Sequence, residues 1–169
     1  MARVTQRGID AALPYAGPTV FATGSAPPAT TTTGTDTTPS ITETYLAEVF
    51  VPMNATLTGV SILNGSAVAG NVTVHLYDSD GKPIVKSAST AQSGTAAYQA
   101  IPFASTFNAK GPAKYLVGVQ FDSTSARFRT HILGVFGASK KTGETYGTAT
   151  AVTFPTTFTT AQGPIASVY

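Results

Sequence analysis

The chain has 169 residues, 29 of them Thr, with 16 Gly, 11 Pro and no Cys; that length suits one domain with a real core, or one domain plus an appendage. The lack of Cys excludes disulfides, zinc–thiolate sites and thiol nucleophiles. A formal charge of +2 spread over the whole chain argues against nucleic acid, whose binders gather basic residues on one face.

Thr favours strands, and Gly and Pro favour turns, so the bias points to an all-β protein with many loops. The opening residues, MARVTQRGIDAALPYAG, lack the apolar core of a secretion signal, and no apolar run is long enough to cross a bilayer. The expectation is a chain with no membrane partner and no classical export signal. Three glycosylation sequons, at Asn54, Asn64 and Asn71, are what a Thr-rich sequence produces by chance.

Residues 1–42 read as an extended N-terminal arm. Val4, Ile9, Leu13, Tyr15, Val20 and Phe21 are single apolar anchors broken by Gly and Pro, a spacing that sustains no helix. They form a candidate interface arm whose side chains would enter pockets on something else. Arg3 and Arg7 could pair with carboxylates or phosphates, or simply be solvated charges. Residues 26–40, APPATTTTGTDTTPS, are low complexity and cannot bury enough apolar surface to offset their ordering. Fixing such a segment costs roughly 1–2 kcal/mol per residue in backbone entropy, so an ordered arm implies contacts from the domain or from neighbouring molecules.

Residues 43–136 change to short strands separated by turns, and predict an antiparallel β-sandwich, jelly-roll-like, behind that arm. Strands are expected near 43–51, 55–63, 71–88 (a hairpin), 96–103, 114–122 and 126–133. The hairpin is the organising element. Val72, Val74 and Leu76 alternate with Thr73, His75 and Tyr77, the period of a half-buried strand. Asp78-Ser79-Asp80-Gly81 then writes the turn, and Ile84 and Val85 resume the apolar run after Pro83. Residues 137–169 return to loop character, with Val152, Phe154, Phe158, Ile165, Val168 and Tyr169 to complete the sandwich or dock on a neighbour.

Chemistry is sparse. Asp78-x-Asp80-Gly81 resembles the start of a calcium loop, but no carboxylate follows at the required spacing, and a hairpin turn explains the same residues; Asp122 could join only from another strand. His75 and His131 are the only histidines, so one chain cannot supply a three-histidine metal site, although a trimer could bring one per subunit to its axis. Arg127, Arg129 and His131 share a face of ARFRTHIL and form a candidate polar binding strip for an acidic partner or sugar acid; a solvated outer sheet face is the simpler reading. No nucleophile elbow, P-loop or dinucleotide-binding glycine pattern occurs. The expectation is therefore no enzyme, with no catalytic residue, no metal site and no cofactor. Tyr77, Tyr98, Tyr115 and Tyr146 could offer sugar-stacking platforms, but Trp is absent and alternation sends some of them inward.

The runs TLTGVSILNGSAVAGNVTVHLYDSDGKPI, AYQAIPFAS, AKYLVGVQFDSTSARFRTH and PTTFTTAQGPIASVY resemble small β-sandwich virion proteins of tailed bacteriophages. The likeness spans residues 43–169 and lies in texture, strand order and turn placement, without a defined binding motif. It implies a non-enzymatic structural part of the virion, most simply a capsid decoration or cement protein attached through its arm. The implied partners are the major capsid protein or neighbouring copies, in a homo-oligomer such as a trimer. The alternative is a carbohydrate- or receptor-binding module of a tail or fibre. A bacterial surface adhesin is a third reading, disfavoured by the missing export signal.

Overall fold

The computed structural model describes residues 21–23, 34–131, 139–153 and 163–169. In chain order the strands are β1 (Phe21–Ala22), β2 (Thr35–Thr37), β3 (Glu43–Val51), β4 (Ala55–Leu63), β5 (Asn71–Tyr77) and β6 (Pro83–Lys86). There follow β7 (Thr90–Ala91), β8 (Tyr98–Ala109), β9 (Ala113–Phe121), β10 (Phe128–Thr130), β11 (Ser139–Thr142) and β12 (Ala166–Val168).

The protein is an all-β antiparallel sandwich. Sheet I runs β1-β12-β4-β8, and sheet II runs β11-β3-β9-β5-β6 with β7 also on β5. A two-stranded ribbon, β10 with β2, sits beside them. Successive long strands β3, β4, β5, β8 and β9 alternate between the two sheets, so alternate side chains of each meet in one interior. Sheet I contributes Leu57, Val60, Ile62, Ile101 and Phe103; sheet II contributes Val49, Val72, Val74, Leu76, Val117, Val119 and Phe121. Phe128 closes one end, its ring 4.8 Å from that of Tyr45 and 4.9 Å from that of Phe121.

Both margins of sheet I are stitched to sheet II. Beyond β1, Thr23 bridges Val49 of β3, and on the far side Phe103 of β8 bridges Ser87 after β6. These bridges cover margins that would otherwise present unpaired backbone groups. At the centre of sheet I, β4 carries an irregularity between Leu57 and Gly59. The C-terminal Tyr169 docks there, its carbonyl accepting the amides of Thr58 at 2.6 Å and Gly59 at 3.2 Å.

Several expectations change: the strand near 126–133 is confined, among the described residues, to Phe128–Thr130, and the segment read as loop from 137 contributes β11 and β12. Strand β8 runs on to Ala109 instead of stopping at Phe103, because pairing with β4 resumes at Phe107, Asn108 and Ala109 after the irregularity. In addition, β5 is buried on both faces. Thr73, His75 and Tyr77 were expected to face solvent, yet each is at most 2% exposed. The cause is residues 143–152, which cross the outer face of sheet II and seat Val152 and Ala149 on Leu46, Tyr77 and Leu116. Gly118 makes room for this second layer: a Cβ there would lie 2.7 Å from the Tyr77 ring. At its far end the covering segment is fastened by the Val152 amide to the Gly81 carbonyl at 2.8 Å. Gly81 itself takes φ +79° in the hairpin turn, and a side chain on it would collide with the Val152 carbonyl.

Candidate functional site

Of the apolar anchors, Phe21 is described, and it lies in the sandwich core as part of β1. Val4, Ile9, Leu13, Tyr15 and Val20 lie outside the described residues. The stretch after them is tied in as well: β2 pairs with β10, placing Asp36 opposite Arg129.

Arg127, Arg129 and His131 fall on the side of β10 opposite buried Phe128 and Thr130, and all three are half-buried. Each meets a group of this same chain. The Arg129 Nε stands 3.7 Å from an Asp36 carboxylate oxygen, and its Nη1 donates to the Gly34 carbonyl at 3.4 Å. The Ser66 amide donates to the same carboxylate at 3.0 Å, and its hydroxyl to the other oxygen. Burial pushes the Asp36 carboxyl up, but the Ser66 bonds and the Arg129 and Arg127 charges outweigh it and hold it below the usual value. The Arg127 Nη1 donates to the Ala126 carbonyl at 3.0 Å. His131 Nε2 lies 3.2 Å from the Thr23 hydroxyl, and burial lowers its pKa. In the folded chain the strip therefore joins residues 23 and 34–36 to the sandwich, with Asp36 as its acidic partner.

The Asp78–Gly81 segment is a plain turn, with Asp78 Oδ1 accepting the amides of Asp80 at 3.0 Å and Lys82 at 2.8 Å. Asp122 caps a different turn through the Asn71 amide at 2.6 Å. No group of three or more His, Cys, Asp or Glu gathers among the described residues. Tyr77 and Tyr115 are buried, whereas Tyr98 is 38% exposed.

Sequence reading missed the polar layer between sheet II and residues 143–152. His75 Nε2 is 3.2 Å from the Thr73 hydroxyl, while its Nδ1 and the Tyr77 hydroxyl are buried without partners. Gln120 joins sheet to cover: its Nε2 donates to the Thr44 hydroxyl at 2.7 Å and the Thr148 carbonyl at 3.0 Å, and its Oε1 accepts the Gly147 amide at 2.8 Å. Glu144, 6% exposed, is held by Lys141 at 3.0 Å and the Thr150 hydroxyl at 2.7 Å. Burial pushes the His75 imidazole down to about 4, with Lys86 adding to the effect and Gln120 and Glu144 opposing it. A signal was present in the sequence: Leu46 and Leu116 are apolar on the face that alternation assigns to solvent.

Two surface features complete the picture. Phe50 and Met53 are about half exposed at one end of the sandwich. Beside them an open hollow of about 280 Å³ is lined by Asn54, Ala55, Thr56, Asn108 and Ala109. No protein-family model matches the chain, and neither does any curated protein or solved structure.

Proposed function

We propose that this chain is a non-enzymatic structural protein of a tailed-phage virion, a capsid decoration or cement protein attached through its N-terminal residues. The observation that carries the reading is the composition of sheet I. None of its four strands contains Asp, Glu, Lys or Arg, and β8 presents a row of exposed uncharged residues, Tyr98, Ala100, Pro102 and Ala104. Interface cores are depleted of charge in this way, since each desolvated charge requires its own partner. Residues 1–20 join the sandwich at β1, a margin strand of this same sheet, so arm and uncharged face can engage one surface together. Many weak contacts repeated by symmetry then hold the protein in place.

The test removes residues 1–20, leaving β1 and β2 in their pairings. The truncated protein is expected to fold and to fail to saturate particles of its source phage; saturation equal to that of the full chain would overturn the attachment role. Imaging those particles is expected to place many symmetric copies on the head. A few copies at the tail tip would instead favour the second reading, a carbohydrate- or receptor-binding module. That reading is supported by exposed Tyr98 and by the uncharged polar lining of the Asn54, Thr56 and Asn108 hollow, and a glycan array tests it directly.

A further inference from the structure

The layer under residues 143–152 has an unusual construction. These residues form no strand pairing with sheet II. Between their two ends they are held to the sheet side mainly by side chains: Gln120 on Gly147 and Thr148, Lys86 Nζ on the Gly147 carbonyl at 2.7 Å, and Ser89 on the Tyr146 hydroxyl at 2.8 Å. Backbone bonds occur at the ends, from the Glu144 amide to the Thr42 carbonyl at 2.9 Å and from the Val152 amide to the Gly81 carbonyl at 2.8 Å. Gly143 and Gly147 have φ of +75° and +76°, with nothing within 4 Å of where a Cβ would stand. A segment so held can lift without breaking a sheet ladder, and its glycines can absorb the change.

Beneath it lies His75, fully buried, with its Nε2 3.2 Å from the Thr73 hydroxyl and the Gln120 amide as its other polar neighbour. A protonated imidazole carries two N–H donors, and Nδ1 has no acceptor in the closed arrangement. The charged and titratable groups that bear on His75 are few. Lys86, its register partner on β6, is cationic; Tyr77, beside it on β5, has a phenol that burial keeps neutral. Glu144 on the covering segment is attractive, but it is already engaged by Lys141, Thr150 and Thr44. From β9 come Gln120 and Gly118, neither charged.

We propose that residues 143–152 are an acid-released strap and that protonation of His75 is what releases it. Neutral His75 fits the closed strap, whereas the imidazolium gains water as an acceptor only when the strap lifts. The direction follows from linkage: His75 is depressed from 6.5 to about 4 when covered, so the closed state excludes a proton that the open state takes up, and closure weakens as pH falls. Opening is expected to grow about tenfold per pH unit below 6.5, and by no more than about 300-fold in all.

Amide hydrogen exchange on the full chain between pH 7.5 and 4.5, corrected for intrinsic rates, tests the proposal. Exchange at Gly147 and Val152 is expected to accelerate on acidification while the β9 amides of Val117 and Val119 stay protected. His75→Gln is expected to flatten that pH dependence, and His131→Gln to leave it intact. An unchanged strap from pH 7.5 to 4.5, the same acid response in H75Q, or acceleration of β9 in step with the strap would each overturn it. Should H75Q fail to fold, imidazole NMR on the unaltered chain decides. His75 must titrate together with loss of strap protection, and titration beneath a closed strap would sink the idea.

Discussion

The two sheets treat their outer faces in opposite ways. Sheet II carries Glu43, Glu48, Lys86, Lys114, Lys140 and Lys141 on its strands, whereas sheet I carries no charge at all. Sheet II pairs four of these charges locally, Glu48 with Lys114 at 3.1 Å and Glu43 with Lys140 at 2.8 Å, and residues 143–152 roof the part of its face that holds Thr44, His75 and Gln120. The outcome inverts a simple polarity rule. His75, Gln120 and Thr44 are buried, while Ala100, Pro102 and Ala104 face solvent. Residue type alone therefore does not report burial in this protein; what decides it is whether another segment of chain crosses the face.

The comparison breaks most sharply if the roofed face is not a true second core. Leu116 on the outer face and Leu57 on the inner are both at most 1% exposed, so L116A and L57A should each lose about 2–5 kcal/mol in urea titrations. A loss below about 1 kcal/mol for L116A alone would mean that the roof is loosely seated. Next in size is Gly118→Ala, whose methyl would press on Tyr77, Thr44 and Leu46. Overpacking should cost about 1–3 kcal/mol, read as a lower thermal midpoint. The smallest effect on stability is expected on the uncharged sheet. Ala100 is exposed on β8, so A100K should move stability by about 0.5 kcal/mol or less. If sheet I is an attachment face, the same change should weaken particle binding by tenfold or more in a co-sedimentation assay.

Much of the sandwich was legible because its long strands obey a local period. The expectations of 43–51 and 55–63 coincide with β3 and β4, and the Asp78–Gly81 turn falls where its residues write it. What was illegible is held by distant pairing. β1, β2, β11 and β12 are two to four residues long, too short for any period to show. They exist because β12 fits between β1 and β4, and because β11 extends β3. The same limit hid the layer around His75. Alternation correctly placed Thr73, His75 and Tyr77 on one face, and apolar Leu46 and Leu116 hinted that the outer face is covered, but the cover itself comes from residues some seventy positions later, which no local pattern names. Arg129 was legible as a cation, yet its partner Asp36 lay inside a Thr-rich segment that composition alone reads as linker.

The order in which the N-terminal strands are attached sets how the molecule bears load. Tension applied on the N-terminal side of Phe21 reaches first the two residue pairs of β1 with β12 and the Thr23–Val49 bridge, then the three pairs of β2 with β10, and only afterwards the pairings of β3 with β11 and β9. Under pulling, β1 and then β2 would therefore detach in two small steps, β1 taking Phe21 out of the core, while the long strands stay paired. That makes the start of the chain a mechanical fuse ahead of the body it leads into.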